Sequence, residues 1–176
     1  MPAATQPAAA PAAPESPLAR LAGKYMTFKL AEEEYGLEIL KVREIIGFMD
    51  ITRVPRSPGF IRGVINLRGK VIPVVDLRMK FGMSATEPTE QTVIIVVQCQ
   101  HRDRALTMGV LVDQVLEVLS IDAGQIEPPP ALGASVDTSF ILGVGKAEKR
   151  VIFLLDIGRV LADGDGAELE RAAAVA

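Results

Sequence analysis

FIRGVINLRGKVIPVVDLRMKF, Phe60 to Phe81, is the stretch whose reading decides the fold. Aliphatic residues alternate with small or polar ones up to Leu67, and again from Lys70 to Asp76, which is the pattern of two strands joined at a tight Arg68-Gly69 turn. Asp76 then stands where a helix N-cap belongs, before LRMKF, with Gly82 as the stop. Pro73 falls inside the second strand, so that strand needs a free edge or a bulge there, because proline has no amide proton to give. The turn NLRG, Asn66 to Gly69, carries more side-chain chemistry than a turn requires.

The same pattern returns later in the chain. Phe60–Phe81 set against Phe140–Leu161, at an offset of 80, gives identities at seven of 22 positions, among them Gly63/Gly143, Val64/Val144 and Asp76/Asp156. Tyr35–Ile46 set against Met108–Leu119, at an offset of 73, matches Gly36/Gly109, Val42/Val115 and Glu44/Glu117. Two offsets in the same order mean a duplicated module. About five short strands per copy, frequent Gly and Pro turns and a length near 70 residues predict two small β-barrels, each closing its sheet to hide the edges and packing on the other for want of core.

Duplication separates scaffold from specialisation. The Phe-Ile-x-Gly-Val strand and the Asp cap occur twice, so Asp76 reads as a cap, not as a catalytic acid. NLRG is replaced by KAEK in the second copy, with Glu148 opposite Arg68. A pair between Arg68 and Glu44 across the surface of the first copy would hold the planar fork of Arg68 in place for a partner.

Composition agrees with a globular β protein. Of 176 residues, 49% are hydrophobic and 23% charged, there is no Trp, and aromatics are 5%, so Val, Ile and Leu must build the core. The net charge of −3 argues against a nucleic-acid surface. Arg62, Arg68 and Lys70 lack the interleaved aromatics that base stacking uses, so a small β-barrel binding nucleic acid is the secondary reading, tested by salt-sensitive oligonucleotide binding. Cys99 and His101 stand alone, which leaves no disulfide and no His-rich metal site: Cys99 reads as packing and His101 as a solvated turn residue. No catalytic motif is present, and no cofactor or metal is expected. The N-terminus has no signal-peptide pattern and the apolar runs are too short to span a membrane, so a cytoplasmic setting is expected.

In order along the chain, residues 1–22 are an Ala/Pro-rich tail read as disordered, residues 23–161 are read as two interlocked barrels, about 23–90 and 91–161, and residues 162–176 as a tail or weak helix. Lys24–Leu30 and Tyr35–Ile39 read as a hairpin around an AEEE turn, followed by a helical turn entering a strand. ITRVPRSPG is an ordered loop and SATEPTEQ a linker. TVIIVV, Thr92 to Val97, is apolar on both strand faces. Asp122 and Gln125 have capping-box spacing.

YGLEILKVREIIG, ITRVPRSPGFIRGVINLRGKVIPVVDLRMKF, MGVLVDQVLEVL and FILGVG with VIFLLDIGRVL resemble the CheW family of chemotaxis coupling proteins, over about Lys24 to Leu161. The resemblance implies two five-stranded SH3-like barrels, no enzymatic activity, and a role bridging the histidine kinase CheA to the cytoplasmic tips of methyl-accepting chemoreceptors. The adaptor would be cytoplasmic, recruited to membrane-associated receptor arrays without inserting into the membrane. By the same resemblance the receptor tip lies in the groove between the barrels. Val42, Glu44, Gly63 and Arg68 match receptor-binding or coupling positions, and Val93 and Val118 match apolar positions of the second barrel that face the regulatory domain of CheA. One face of TVIIVV would then be core and the other interface. The loop used by the family in a further, ring-closing kinase contact is IEPPPAL here, with Glu127 where a basic residue can occur and Leu132 where an aromatic can. Either the contact is lost or the kinase carries matching changes. Of the relatives that share the module, a CheA kinase needs phosphotransfer and ATP-binding domains and a CheV-type adaptor needs a receiver domain, for which the chain leaves no room.

Overall fold

The computed structural model describes residues 18–56, 58–84, 86–101, 104–129 and 140–160. The first copy supplies β1 (Gly23–Leu30), β2 (Glu33–Glu38), a 3-10 turn (Ile39–Lys41), β3 (Val42–Gly47), β4 (Ile61–Leu67), β5 (Lys70–Asp76) and the one-turn helix α1 (Leu77–Lys80). The second supplies β6 (Val93–His101), β7 (Arg104–Val112), β8 (Gln114–Ile121), a 3-10 turn (Ala123–Gln125), β9 (Ile126–Glu127), β10 (Ile141–Ala147), β11 (Arg150–Leu155) and α2 (Ile157–Val160). The fold is mainly β, as read from the sequence, in two sheets of six and five strands.

The copies do not fold side by side; they exchange strands. One sheet runs β8-β1-β2-β11-β10-β9 and the other β3-β6-β7-β5-β4. Each therefore takes its central hairpin from one copy and its flanking strands from the other. The boundary expected near residue 90 separates the copies in sequence but not the barrels in space. The physical reason is edge coverage: the hairpins β1-β2 and β6-β7 each leave two open edges, and strands of the other copy satisfy them. Two of the joints are parallel, β2 with β11 and β5 with β7.

Local differences from the sequence reading are small and have causes. The first hairpin turns at Ala31-Glu32 alone: Leu30 pairs with Glu33, and Ala31 takes a φ of 55° with its N–H donating to the Asp113 carboxylate at 2.8 Å. The N-terminal tail yields to order before residue 23, because Ala19–Leu21 forms a 3-10 turn whose Leu21, with Leu18, packs on the Ile121 and Ile126 cluster. Residues 1–17, 130–139 (with Leu132) and 161–176 lie outside the described residues. Both Asp caps form: Asp76 Oδ1 accepts from the N–H of Arg78 at 3.0 Å, and Asp156 Oδ1 from that of Gly158 at 3.0 Å. The Gln125 side chain accepts from the Asp122 N–H at 2.8 Å, as capping-box spacing requires.

Pro73 sits in a strand with neighbours on both sides, yet its missing donor is harmless. Val64, opposite Pro73, directs both its N–H and its C=O at Thr52, so the facing pair exchanges no hydrogen bonds and the Pro73 nitrogen points away from β4. On that far side the ladder with β7 begins one residue later, at Val74.

Three clusters make up the core. Ile65, Ile72, Val74, Ile94, Val96 and Leu111 fill the barrel of the five-stranded sheet. Tyr25, Ile121, Ile126, Ile152 and Leu154 fill the other. The largest cluster lies between the barrels and joins Met26, Phe28 and Leu37 of one sheet to Val75, Ile95 and Val110 of the other. Each such apolar side chain, when fully buried, contributes about 1.5–3 kcal/mol. Five of the eight Phe and Tyr residues form one stack at this junction: Phe28 on Tyr35, Tyr35 on Phe81 and Phe153, and Phe81 on Phe140 at 4.7 Å between centroids. Most of the scarce aromatics thus join the barrels, while Tyr25 fills one of them.

Candidate docking surface

The β4-β5 turn is a two-residue turn with positive φ at both corners, 51° at Arg68 and 84° at Gly69, and Asn66 Oδ1 accepts the Gly69 N–H at 2.9 Å. The twin turn also starts with a left-handed non-glycine residue, Glu148 at 56°. The backbone of NLRG is therefore scaffold, and the side chain of Arg68 is what differs.

Arg68 meets Glu44 as the sequence suggested. Nη1 donates to Oε1 at 3.0 Å and Nη2 to Oε2 at 2.7 Å, a two-pronged fork that fixes the guanidinium plane. The Arg68 side chain is 75% exposed, so the pair stands at the surface. Glu44 is on β3 and Arg68 follows β4, the two edge strands of the sheet, so the fork closes the seam that no ladder closes.

The second barrel has the same clasp from a residue that comparison of the turns overlooks. Arg150 Nη1 donates to Glu117, the twin of Glu44, at 2.6 Å, and Arg150 Nε donates to Glu34 at 2.8 Å. The hydrogen bonds it donates to Glu117 and then to Glu34 raise the pKa of Arg150 above its usual value. The signal was present in the sequence: Arg150 aligns with Lys70 at offset 80, a cation kept at the base of both turns. Thr27 was also missed. It is fully buried at a bulge between β1 and β8, where its hydroxyl donates to the Glu117 carbonyl at 2.7 Å and accepts the Glu117 N–H at 3.2 Å.

The remaining sequence-derived residues fall in different settings. Val42 is half-buried and packs on the junction core. Gly63 lies on β4 at φ 146°, and a Cβ there would stand 2.1 Å from the Thr52 carbonyl oxygen, so its role is to admit the 48–59 loop. Val93, half-buried, begins β6 in the five-stranded sheet, while Val118, 48% exposed, is on edge strand β8 of the other. The two valines expected on one barrel are thus on different ones, because of the strand exchange. TVIIVV offers no free face: Ile95 and Val97 enter the junction core, and Ile94 and Val96 enter the barrel. Arg68 and Glu44 are the only members of the set joined directly by hydrogen bonds among the described residues.

Cys99 is buried in the junction core, and that burial pushes its thiol pKa up, away from reactivity. No group of three or more His, Cys, Asp and Glu side chains among the described residues is placed to hold a metal ion. His101 ends β6 opposite Arg104. The double barrel and its surface ion pair define a protein-interaction module.

The chain belongs to the CheW family: residues 24–165 match the family model described as the CheW-like domain. It is 38% identical over 161 residues to the chemotaxis protein CheW of Klebsiella aerogenes, covering 89% of this chain and 95% of that one. It is also 38% identical over 135 residues to the chemotaxis protein CheW of Rhizobium meliloti, covering 77% and 84%. The crystal structure of the scaffolding protein TtCheW from Thermoanaerobacter tengcongensis superposes with a TM-score of 0.71 at 38% identity, over 82% of this chain and 95% of that one.

Proposed function

We propose that this chemotaxis coupling adaptor binds the cytoplasmic tip of methyl-accepting chemoreceptors with one surface and the regulatory domain of a CheA-type histidine kinase with another, and performs no chemistry itself. The observation that carries the receptor side is the exposed Arg68–Glu44 fork, whose Glu44 stands on β3, the strand that also carries exposed Ile45 at 41% and follows exposed Leu40 at 88%. A fixed cation and carboxylate on an element that also exposes aliphatics supports docking of an amphipathic helix. The receptor helix then lies along the groove at the surface of the junction, over the shared core that fills its interior. In this reading Arg68 and Glu44 make the contact, while Val42 and Gly63 act by shaping β3, β4 and the loop between them. Val118 is the exposed member of the kinase pair, and Val93 packs on the junction core. No helix of the described residues is long and apolar enough to cross a membrane. Recruitment to a receptor array would therefore run through the receptor contact.

The test is receptor-stimulated kinase activity in a reconstituted ternary mixture. Arg68→Ala and Glu44→Ala should abolish receptor control with the fold intact by circular dichroism. Full stimulation by both folded variants would refute the receptor assignment. Val118→Glu should release the kinase without altering receptor binding.

A further inference from the structure

A groove of about 800 Å³ opens at the far end of β4 from Arg68, between the 48–59 loop and α1. Arg62 at the start of β4 lines it, and six residues of strand, about 20 Å, separate Arg62 from Arg68. The groove is therefore a different surface from the receptor patch. Its walls are apolar: Phe48, Ile51, Val54 and Met79 contribute, with Phe48 and Met79 among the exposed large hydrophobics of the described residues. Its rim is basic. Arg53 and Arg56 are exposed and have no ion-pair partner among the described residues. Arg62 faces Asp76 only at 3.9 Å, and the cap already occupies the other oxygen of Asp76. Asp50 is the single acidic residue in the lining.

We propose that this groove docks an acidic peptide segment of a partner protein, its carboxylates on Arg53, Arg56 and Arg62 and an aliphatic side chain between them against Phe48, Ile51 and Met79. Three guanidiniums around one carboxylate stand out on a chain whose net charge is −3. Guanidinium forks match carboxylates geometrically. A groove of this size with an apolar floor and a few polar anchors takes a short segment with alternating character. Nucleic acid fits less well, because a single rim aromatic, Phe48, gives no run of stacking platforms.

The experiment uses the full chain and a fluorescein-labelled decapeptide alternating Glu and Leu, with its Gln-Leu counterpart as control. Anisotropy should show saturable binding below about 1 mM, weakening as salt rises, with the Gln peptide at least about tenfold weaker. The double variant Arg53→Glu, Arg56→Glu should lose the binding, and Arg68→Ala should keep it. Arg56 has a φ of 61°, so Arg56→Gly removes the charge without backbone strain and should weaken binding in a protein that folds at least as well. Equal binding of the Gln peptide, no saturation, or loss of binding in Arg68→Ala overturns the proposal. So does a single-stranded oligonucleotide that binds more tightly than the peptide. Self-association that the double variant abolishes would assign the groove to a second copy and overturn it as well.

Discussion

Glu44 and Glu117 occupy equivalent positions in the duplicated chain, and each accepts from an arginine of the hairpin that ends its copy, but the two arginines sit in different places. Arg68 reaches Glu44 from the first corner of its turn, and Arg150 reaches Glu117 from the first residue after its turn. Holding that glutamate from the hairpin is thus shared scaffold. What is particular to the first barrel is a clasp raised to the hairpin tip, where a partner can read it.

The two clasps should differ in their effect on stability. Arg68 is 75% exposed and holds one carboxylate, so Arg68→Ala should destabilise by less than about 1 kcal/mol. Arg150 is 30% exposed and separates two carboxylates, which would face each other unpaired in Arg150→Ala, at a cost of about 1–2 kcal/mol after solvent screening. Urea unfolding of both variants measures the difference. An Arg68 variant less stable than the Arg150 variant would contradict it.

Gly63 and Gly143 are twins with unequal room. A Cβ at Gly63 would fall 2.1 Å from the Thr52 carbonyl oxygen, on a backbone at φ 146°, whereas at Gly143 the nearest atom, the Glu127 carbonyl oxygen, is at 3.0 Å. Gly63→Ala should therefore break the Thr52–Val64 bridge and cost about 3 kcal/mol or more, and Gly143→Ala about 1 kcal/mol. Hydrogen exchange at the Val64 amide, which donates to Thr52 at 2.8 Å, reports the loss directly. A loss of receptor coupling in Gly63→Ala would then need to be read alongside its stability.

Thr27 fills a gap in the β1-β8 ladder with its side chain. Thr27→Val keeps the shape but leaves the Glu117 N–H and C=O without that partner, for a loss of about 1–3 kcal/mol. Thr27→Ser keeps the hydroxyl and should recover most of it. Equal stability of the Val and Ser variants would show that the hydroxyl contributes nothing.

The hairpins, the Asp caps and the Arg68–Glu44 pair were legible because each is local or repeated: the alternation of Phe60–Asp76, the twin Asp76 and Asp156, the twin glutamates. Strand exchange was not. Periodicity tells which face of β3 or β8 is apolar but not which hairpin lies beside it, and β3 pairs with β6 although both β4 and β5 intervene in its own copy. That choice is made by edges and junction packing, which no single strand encodes. Val93 and Val118 were consequently placed on one barrel. Arg150 stands two positions beyond Glu148, the residue opposite Arg68 in the repeat, and from there it still reaches the equivalent carboxylate.

Tyr25 and Tyr35 give the fold an alkaline limit. Burial, with the nearby charge of Glu38 at Tyr25 and of Glu33 at Tyr35, pushes each phenol from 10.0 up to about 12. Between those values the unfolded chain releases protons that the folded chain retains, so stability present below pH 10 is lost as pH rises towards 12. Tyr25→Phe also removes the bond its hydroxyl donates to the Leu21 carbonyl at 2.6 Å, and should cost about 1 kcal/mol even at pH 8. Tyr35 stacks within the junction, and Tyr35→Phe keeps its ring contacts with Phe28, Phe81 and Phe153. Its stability at pH 8 should stay close to that of the parent, and its decline between pH 10 and 12 should be shallower. Urea midpoints measured at pH 8, 10 and 11.5 decide the matter: parallel declines in the parent and the Tyr35→Phe variant would show that the phenol at the barrel junction does not set the limit.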